Sequence, residues 1–372
     1  MRWPSIGKRR FLIGAAGVAV MLLAGVVWLG RVPLLTWYYL HQLARAGGAE
    51  RDAWAERIAG LGGAAVPGLL HLLEQQDSRV CGNARAALAR LTERWQPDDP
   101  RWADLADRLA EAYPQQRVAG RECTLQQMAE WLRFDPARPP EGMQSAAGRI
   151  LAEVVRGDDR EVEGAALELA AALLASLPPP EQAVAICREL ARRGLSSAEA
   201  ENRVRAIRLT LYRGMNLRPQ VTPLLSDLRP EVRRAAMLAV GPAPEAIATD
   251  NLLPWLHDPD PDVRQLCEAS LLARDDFRPE HLPLARLITS PQAAVRLQVL
   301  AYLQKDTSLE PGAWLRRLSH DPAPEVRAAA VRAAASQTMV DLSELIRERA
   351  QNDPSPTVSQ LAWYYLRNSQ KE

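Results

Sequence analysis

Residues 258–264 read Asp258-Pro259-Asp260-Pro261-Asp262-Val263-Arg264, and residues 321–327 read Asp321-Pro322-Ala323-Pro324-Glu325-Val326-Arg327. The phrase returns at Asp227-Leu228-Arg229-Pro230-Glu231-Val232-Arg233, at Ser290-Pro291-Gln292-Ala293-Ala294-Val295-Arg296 and at Asp353-Pro354-Ser355-Pro356-Thr357-Val358. Its valines stand at 232, 263, 295, 326 and 358, separated by 31, 32, 31 and 32 residues. A constant period of this length marks a stacked array in which each repeat is one supersecondary unit.

After each valine, apolar side chains recur at +3, +4, +7 and +8. One unit has Leu266, Cys267, Ser270 and Leu271; another has Ala329, Ala330, Ala333 and Ala334; the last has Leu361, Ala362, Tyr365 and Leu366. That spacing is one face of an α-helix. A shorter apolar run precedes each turn, as in Leu252-Leu253-Pro254-Trp255-Leu256. Each unit is therefore predicted as helix A, a turn, then helix B. Asp before Pro can cap, Pro suits the first helical turn, and an acidic residue before Val favours the positive end of helix B. The junctions explain why the chain has 28 prolines, where average usage would give roughly 19.

A further unit lies near the N-terminus. Residues 61–73, from Leu61-Gly62-Gly63-Ala64-Ala65-Val66-Pro67 to Leu72-Leu73, lead to Asp77-Ser78-Arg79-Val80. The pattern L-G-x-x-A-V-P-x-L-x-x-L-L followed by D-x-x-V resembles HEAT repeats of the short, phycobilisome-lyase-like type. Looser copies run from Ile150 to Val162 and from Ile186 to Val204. The resemblance implies an all-α fold, an α-solenoid of HEAT-like helical pairs with the B helices lining its concave face. No unit can bury its apolar face alone, so stacking makes the core. The expected organisation is a HEAT-like unit at 48–95, an irregular helical insertion at 96–145, degenerate units at 146–213 and five regular units at 214–372.

Ahead of the array, residues 11–29 read FLIGAAGVAVMLLAGVVWL, nineteen residues without a charge. As a helix they span about 28 Å, close to a bilayer's hydrocarbon core. Arg2, Lys8, Arg9 and Arg10 precede them, and only Arg31 follows closely. The positive-inside rule puts residues 1–10 in the cytoplasm and the body outside, behind a transmembrane helix at 11–30 and a juxtamembrane helix at 31–47. Trp28, Trp37, Tyr38 and Tyr39 sit where an aromatic belt would lie. A cleaved signal peptide fits less well, since its apolar run is shorter and ends at a small-x-small site. Lys8-Arg9-Arg10-Phe11-Leu12 also resembles a twin-arginine export signal, with Lys for the first Arg.

Composition bounds the chemistry. The 372 residues are 47% hydrophobic and 24% charged, which excludes wholesale disorder and a fibrous rod. Forty-six basic residues face 45 acidic ones, so no global field draws the chain to nucleic acid or anionic lipid. Arginine supplies 43 of the 46, and such usage resembles that of a GC-rich bacterial genome.

The motifs that look chemical have plainer readings. Asp258, Asp260 and Asp262 alternate as in a calcium loop, but Val263 and Ala269 stand where an EF-hand needs Gly and Glu. Gly60-Leu61-Gly62-Gly63-Ala64-Ala65 mimics a dinucleotide fingerprint but follows a helical pattern, not a strand. His257 and His320 occupy equivalent turns two units apart, too far to share a metal. Cys81, Cys123, Cys187 and Cys267 are isolated; export would make a Cys81–Cys123 bridge conceivable. No catalytic residue, cofactor or metal is expected.

Two sets of residues remain. Arg233, Arg264, Arg296 and Arg327 form a periodic row expected to pair with Asp227, Asp258, Asp321 and Asp353 of their own or the next turn. The rival reading is an anion-binding stripe, since guanidinium suits phosphate. Positions +2, +5 and +6 of the B helices should face solvent, yet they include Met237, Leu238, Leu297, Leu300, Val331, Trp363 and Tyr364. That apolar stripe is the expected surface for a protein or peptide partner. The expected function is a non-catalytic, membrane-anchored scaffold. The alternatives are a phycobilisome-lyase-like enzyme, which the resemblance suggests, and nucleic-acid binding if the body is cytoplasmic.

Overall fold

The computed structural model describes residues 32–157, 159–176, 181–305, 310–337 and 340–369. The expected transmembrane helix at 11–30 lies outside the described residues. Among the described residues no helix is long and apolar enough to cross a membrane, and no strand occurs. The chain divides into two compact units, one ending at Leu217 and one beginning at Arg218.

In the first unit the helices form two layers. Gly48–Ala59, Ser78–Thr92, Val118–Phe134, Glu163–Ala175 and Ala200–Leu209 pack in succession, each against the next. Val66–Leu73, Arg101–Ala112, Met143–Gly157 and Glu181–Gly194 do the same in the second layer. The stretch read as an irregular insertion at 96–145 therefore contains a helical pair, Arg101–Ala112 and Val118–Phe134, lying in the same layers as its neighbours. Arg101–Ala112 is strongly amphipathic, burying Trp102, Leu105, Ala106 and Leu109. Its apolar face packs like the others, but the turn joining it to Val118–Phe134, Tyr113-Pro114-Gln115-Gln116-Arg117, has no Asp-Pro phrase to reveal the period.

Close approach at one crossing is set by a glycine. A Cβ on Gly120 would lie 1.7 Å from the Leu73 carbonyl oxygen. The start of Val118–Phe134 thus rests directly on the backbone ending Val66–Leu73.

Among the described residues, the second unit holds five helical pairs. The B helices Pro230–Val240, Pro261–Leu272, Pro324–Ala335 and Pro356–Ser369 all begin on a proline, whose missing N–H would have had no intrahelical partner. The remaining B segment is split at Leu297 into Ala293–Arg296 and Gln298–Lys305. The +4 residues Ala236, Cys267, Val299, Ala330 and Ala362 are all 0% exposed. Val232, Val263, Val326 and Val358 are equally buried, whereas Val295 is half-buried. Helix A contributes Leu225, Leu256, Leu284, Leu318 and Ile346 to the same core. Pro230–Val240 packs on Pro261–Leu272, and Pro324–Ala335 on Pro356–Ser369, an arrangement consistent with an α-solenoid.

Candidate functional site

Of the five turns described in the second unit, four are closed by an aspartate and four are locked by an arginine. Asp258 Oδ1 accepts the Asp260 N–H at 2.8 Å, and Asp321 Oδ1 accepts the Ala323 N–H at 2.8 Å. Asp227 and Asp353 do the same for Arg229 and Ser355, both at 2.9 Å. The turn aspartate thus shapes the loop; where a helix cap is made, it is by Asp260, which accepts from Asp262 and Val263. One helical turn later an arginine reaches back. Nη1 of Arg233 donates to the carbonyls of Asp227 and Leu228, that of Arg264 to Asp258 and Pro259, that of Arg296 to Ser290 and Pro291, and that of Arg327 to Asp321 and Pro322.

The other edge of the guanidinium faces the next turn. Arg233 binds both oxygens of Asp258 at 2.8 Å, Arg296 those of Asp321 at 2.6 and 2.8 Å, and Arg327 those of Asp353 at 2.9 Å. The side chains are between 0% and 12% exposed. These are forked, charge-assisted contacts of the strong kind. The sequence left own turn and next turn open; the structure uses both, carbonyls of the first and the carboxylate of the second. At the position facing Arg264 the third turn has Ser290 in place of Asp. In the first unit Arg203 holds the carbonyls of Ser197 and Ala198 in the same way, and Arg121 pairs with Asp159 at 2.5 Å.

Asp353 faces two arginines, Arg327 and Arg349. Burial alone would raise its carboxyl, but hydrogen bonds from Arg327 and the Ser355 N–H, with the charges of Arg327 and Arg349, hold it below the ordinary carboxylate range. Burial pushes the Cys81 thiol to about 11 and those of Cys187 and Cys267 to about 12. All four cysteines are free, Cys123 included, so the Cys81–Cys123 bridge is not formed. Thiols held so far above neutrality are poor nucleophiles. His257 meets the Arg286 carbonyl and His320 meets Glu348, and no cluster among the described residues has the composition to hold a metal ion.

The apolar stripe is divided by the structure. Leu238, Trp363 and Tyr364 are exposed, at 58%, 42% and 60%. Met237 and Val331, expected at exposed +5 positions, are fully buried. Leu297 and Leu300 are half-buried and pack against the core beneath Leu284, Val299 and Val326. The reason is geometric. The +5 residue points along the stack, and Val331 packs with Val358 and Ala362 of the following B helix. Trp363 holds the +5 position of the last B helix described, and it is exposed.

One feature went unseen in the sequence. Trp95, Trp102, Trp131 and Phe134 line a cavity of about 490 Å³ in the first unit, between Ser78–Thr92, Arg101–Ala112 and Val118–Phe134. Their clustering within residues 95–134 was the available signal, hidden because that stretch lacks the repeat's turn phrase.

No family model matches the chain, and no curated protein matches it. Among solved structures, the crystal structure of an engineered protein is 17% identical, covers 90% of this chain and 99% of its own, and superposes with a TM-score of 0.30, too low to carry an argument.

Proposed function

We propose that the chain is a non-catalytic scaffold: a HEAT-type helical array of the short, phycobilisome-lyase-like kind, anchored in a membrane by residues 11–29 and holding a protein or peptide partner on the far side. The observation that supports this reading is where apolar side chains stay exposed. On the first described helix, 32–45, Val32, Leu34, Trp37 and Tyr38 are 44%, 69%, 65% and 45% exposed. They directly follow the uncharged segment, as an aromatic belt at a bilayer surface would. On the last described helix, Trp363 and Tyr364 are exposed beside Tyr365, which meets Tyr364 edge-on at 5.4 Å. Large aromatics of this kind anchor protein partners.

The arginine row gives little support to nucleic-acid binding. Arg233, Arg296 and Arg327 are already engaged by buried carboxylates and carbonyls, so they present no free stripe to phosphate.

Protease treatment of intact spheroplasts, with a blot for a C-terminal tag, tests the topology. Loss of the tag while cytoplasmic markers survive is the expected result. Survival of the tag until lysis inverts the topology and sinks the proposal. Deletion of residues 1–31 should move the protein from the membrane fraction to the soluble one.

A further inference from the structure

Helix 32–45 is apolar on more than the side it buries. From Val32 to Ala44 it has no Asp, Glu, Lys or Arg, and its first charge comes at Arg45. Leu34, Trp37 and Tyr38 are exposed and share one face, at the i, i+3 and i+4 positions of a helix. The fold holds this face in place. Buried Asn83 donates to the carbonyls of Leu43 and Ala46 at 2.8 and 3.1 Å, groups that the end of the helix would otherwise leave open. Tyr38 and Tyr39 both meet Trp54, at 6.1 and 5.8 Å.

Beside that face runs an open groove of about 570 Å³. Pro33, Trp37 and Leu40 form one wall, and Ala64, Gly68 and Leu72 of the first repeat form the other. Its floor is tight, because a Cβ on Gly68 would fall 2.1 Å from Leu40 Cδ1. The polar groups along it are already engaged. The Thr36 hydroxyl donates to the Val32 carbonyl at 2.8 Å. His41 lies flat on Trp37, with ring centres 5.5 Å apart, and His71 meets Glu74 at 2.9 Å. No Asp, Glu, Lys or Arg is among the lining residues, so the groove offers a ligand apolar contact and little else.

The path of the chain says what covers it. The uncharged segment 11–29 ends three residues before Val32. At no more than about 3.6 Å per residue, helix 32–45 begins within about 11 Å of that segment's end. With 11–29 in the bilayer, the helix starts in or just beyond the headgroup layer, which is about 5–8 Å deep. A helix that carries apolar side chains along one face lies flat at this depth, with that face in the acyl boundary. We propose that the groove takes an acyl chain of a bilayer phospholipid, with helix 32–45 in the plane of the interface and the first repeat resting on the membrane. Exposed Arg45, at the far end of the helix, then lies level with the lipid phosphates. The proposal rests on residues 11–29 being the anchor. It adds that the repeat body, through Ala64, Gly68 and Leu72, is itself a lipid contact, so the array is seated on the bilayer and not hung from a free tether.

The experiment is photo-cross-linking of the full chain in vesicles of phosphatidylethanolamine and phosphatidylglycerol. The probes are Trp37→p-benzoylphenylalanine and His71→p-benzoylphenylalanine; the His71 side chain is 70% exposed, so the fold tolerates the change. Mass spectrometry of the cross-linked peptides identifies what each probe touches, and carbonate extraction of the same vesicles reads the anchor separately. Phospholipid adducts are expected at both positions. In the chain probed at position 71, Ala64→Glu should cut the adduct several-fold, because it sets a carboxylate in the apolar groove, while Ala64→Leu should retain it. Ala64 is exposed, and thermal melts verify that both variants fold. Absence of a phospholipid adduct at position 71 overturns the proposal. So does a cross-link from there to residues 1–31, or an unchanged yield in a folded Ala64→Glu. An adduct confined to position 37, in a chain that resists carbonate, leaves the anchor standing and overturns the groove. A phospholipid adduct at position 71, in a chain that carbonate strips away, supports the groove and overturns the anchor.

Discussion

Arg327 grips both carboxylate oxygens of Asp353 at 2.9 Å, while its third nitrogen holds the carbonyls of Asp321 and Pro322 at 2.8 and 3.0 Å. One guanidinium thus ties the turn of its own repeat to the turn of the next. The pair is almost wholly buried, at 7% and 0% exposure, so water cannot replace either partner. The stack is coupled at its turns by charge and along its helices by apolar packing.

Removing one partner of such a pair leaves a buried charge unmatched, at about 3–5 kcal/mol. Arg296→Ala or Asp321→Ala is expected to destabilise the second unit on that scale in urea denaturation. The double variant Arg296→Met with Asp321→Leu should lose much less, since no charge remains buried. A double-variant loss equal to the sum of the two single losses would show that the pair contributes nothing of its own.

The ladder lacks one rung at Ser290, opposite Arg264. Ser290 is 7% exposed and its hydroxyl already accepts the Gln292 N–H at 3.3 Å, where the other turns use Asp. Ser290→Asp should therefore complete the fork and raise stability by about 1 kcal/mol. A fall in melting temperature would mean that the backbone at this turn cannot bring a carboxylate to Arg264.

Asp353 sets a pH dependence. Its folded carboxyl lies below the ordinary range, so its contribution is fully present above about pH 4 and is lost as pH falls through the folded value. Acid titration followed by circular dichroism should show that slope in the wild type. Asp353→Asn should be less stable near neutrality, with the two curves converging in acid.

The position of +5 along the stack predicts a contrast between neighbours. Met237→Ala should cost about 2–5 kcal/mol, because Met237 is fully buried. Leu238→Ala, one residue on and 58% exposed, should stay within about 0.5 kcal/mol. Thermal melts of the two variants check the assignment, and the reverse order would refute it.

Gly120→Ala places a methyl where the Leu73 carbonyl stands. The backbone there cannot swing aside as a side chain could. A loss of about 1–3 kcal/mol is expected from overpacking. An unchanged melt would mean that the two helices separate freely.

Much of the second unit was legible in the chain. The Asp-Pro phrase, repeated at 31 or 32 residues, carried the turn, the helix start and the +4 face, and all five +4 residues are buried. Local chemistry suffices there, because cap, proline and apolar phase are set within one unit. The pair at Arg101–Ala112 and Val118–Phe134 was not legible, because its turn lacks that phrase although its apolar faces pack equally well.

What the sequence determined by itself was a periodic all-helical body, the residues of the arginine row and an apolar segment long enough for a membrane. Tertiary structure decided the rest. Helical spacing separates the face turned to solvent from the face turned to core, but cannot tell solvent from the next repeat. Only stacking buries Met237 and Val331 while leaving Leu238, Trp363 and Tyr364 exposed. Likewise, no spacing rule could bring Trp95, Trp102, Trp131 and Phe134 around one cavity, since three helices must cross before their rings meet.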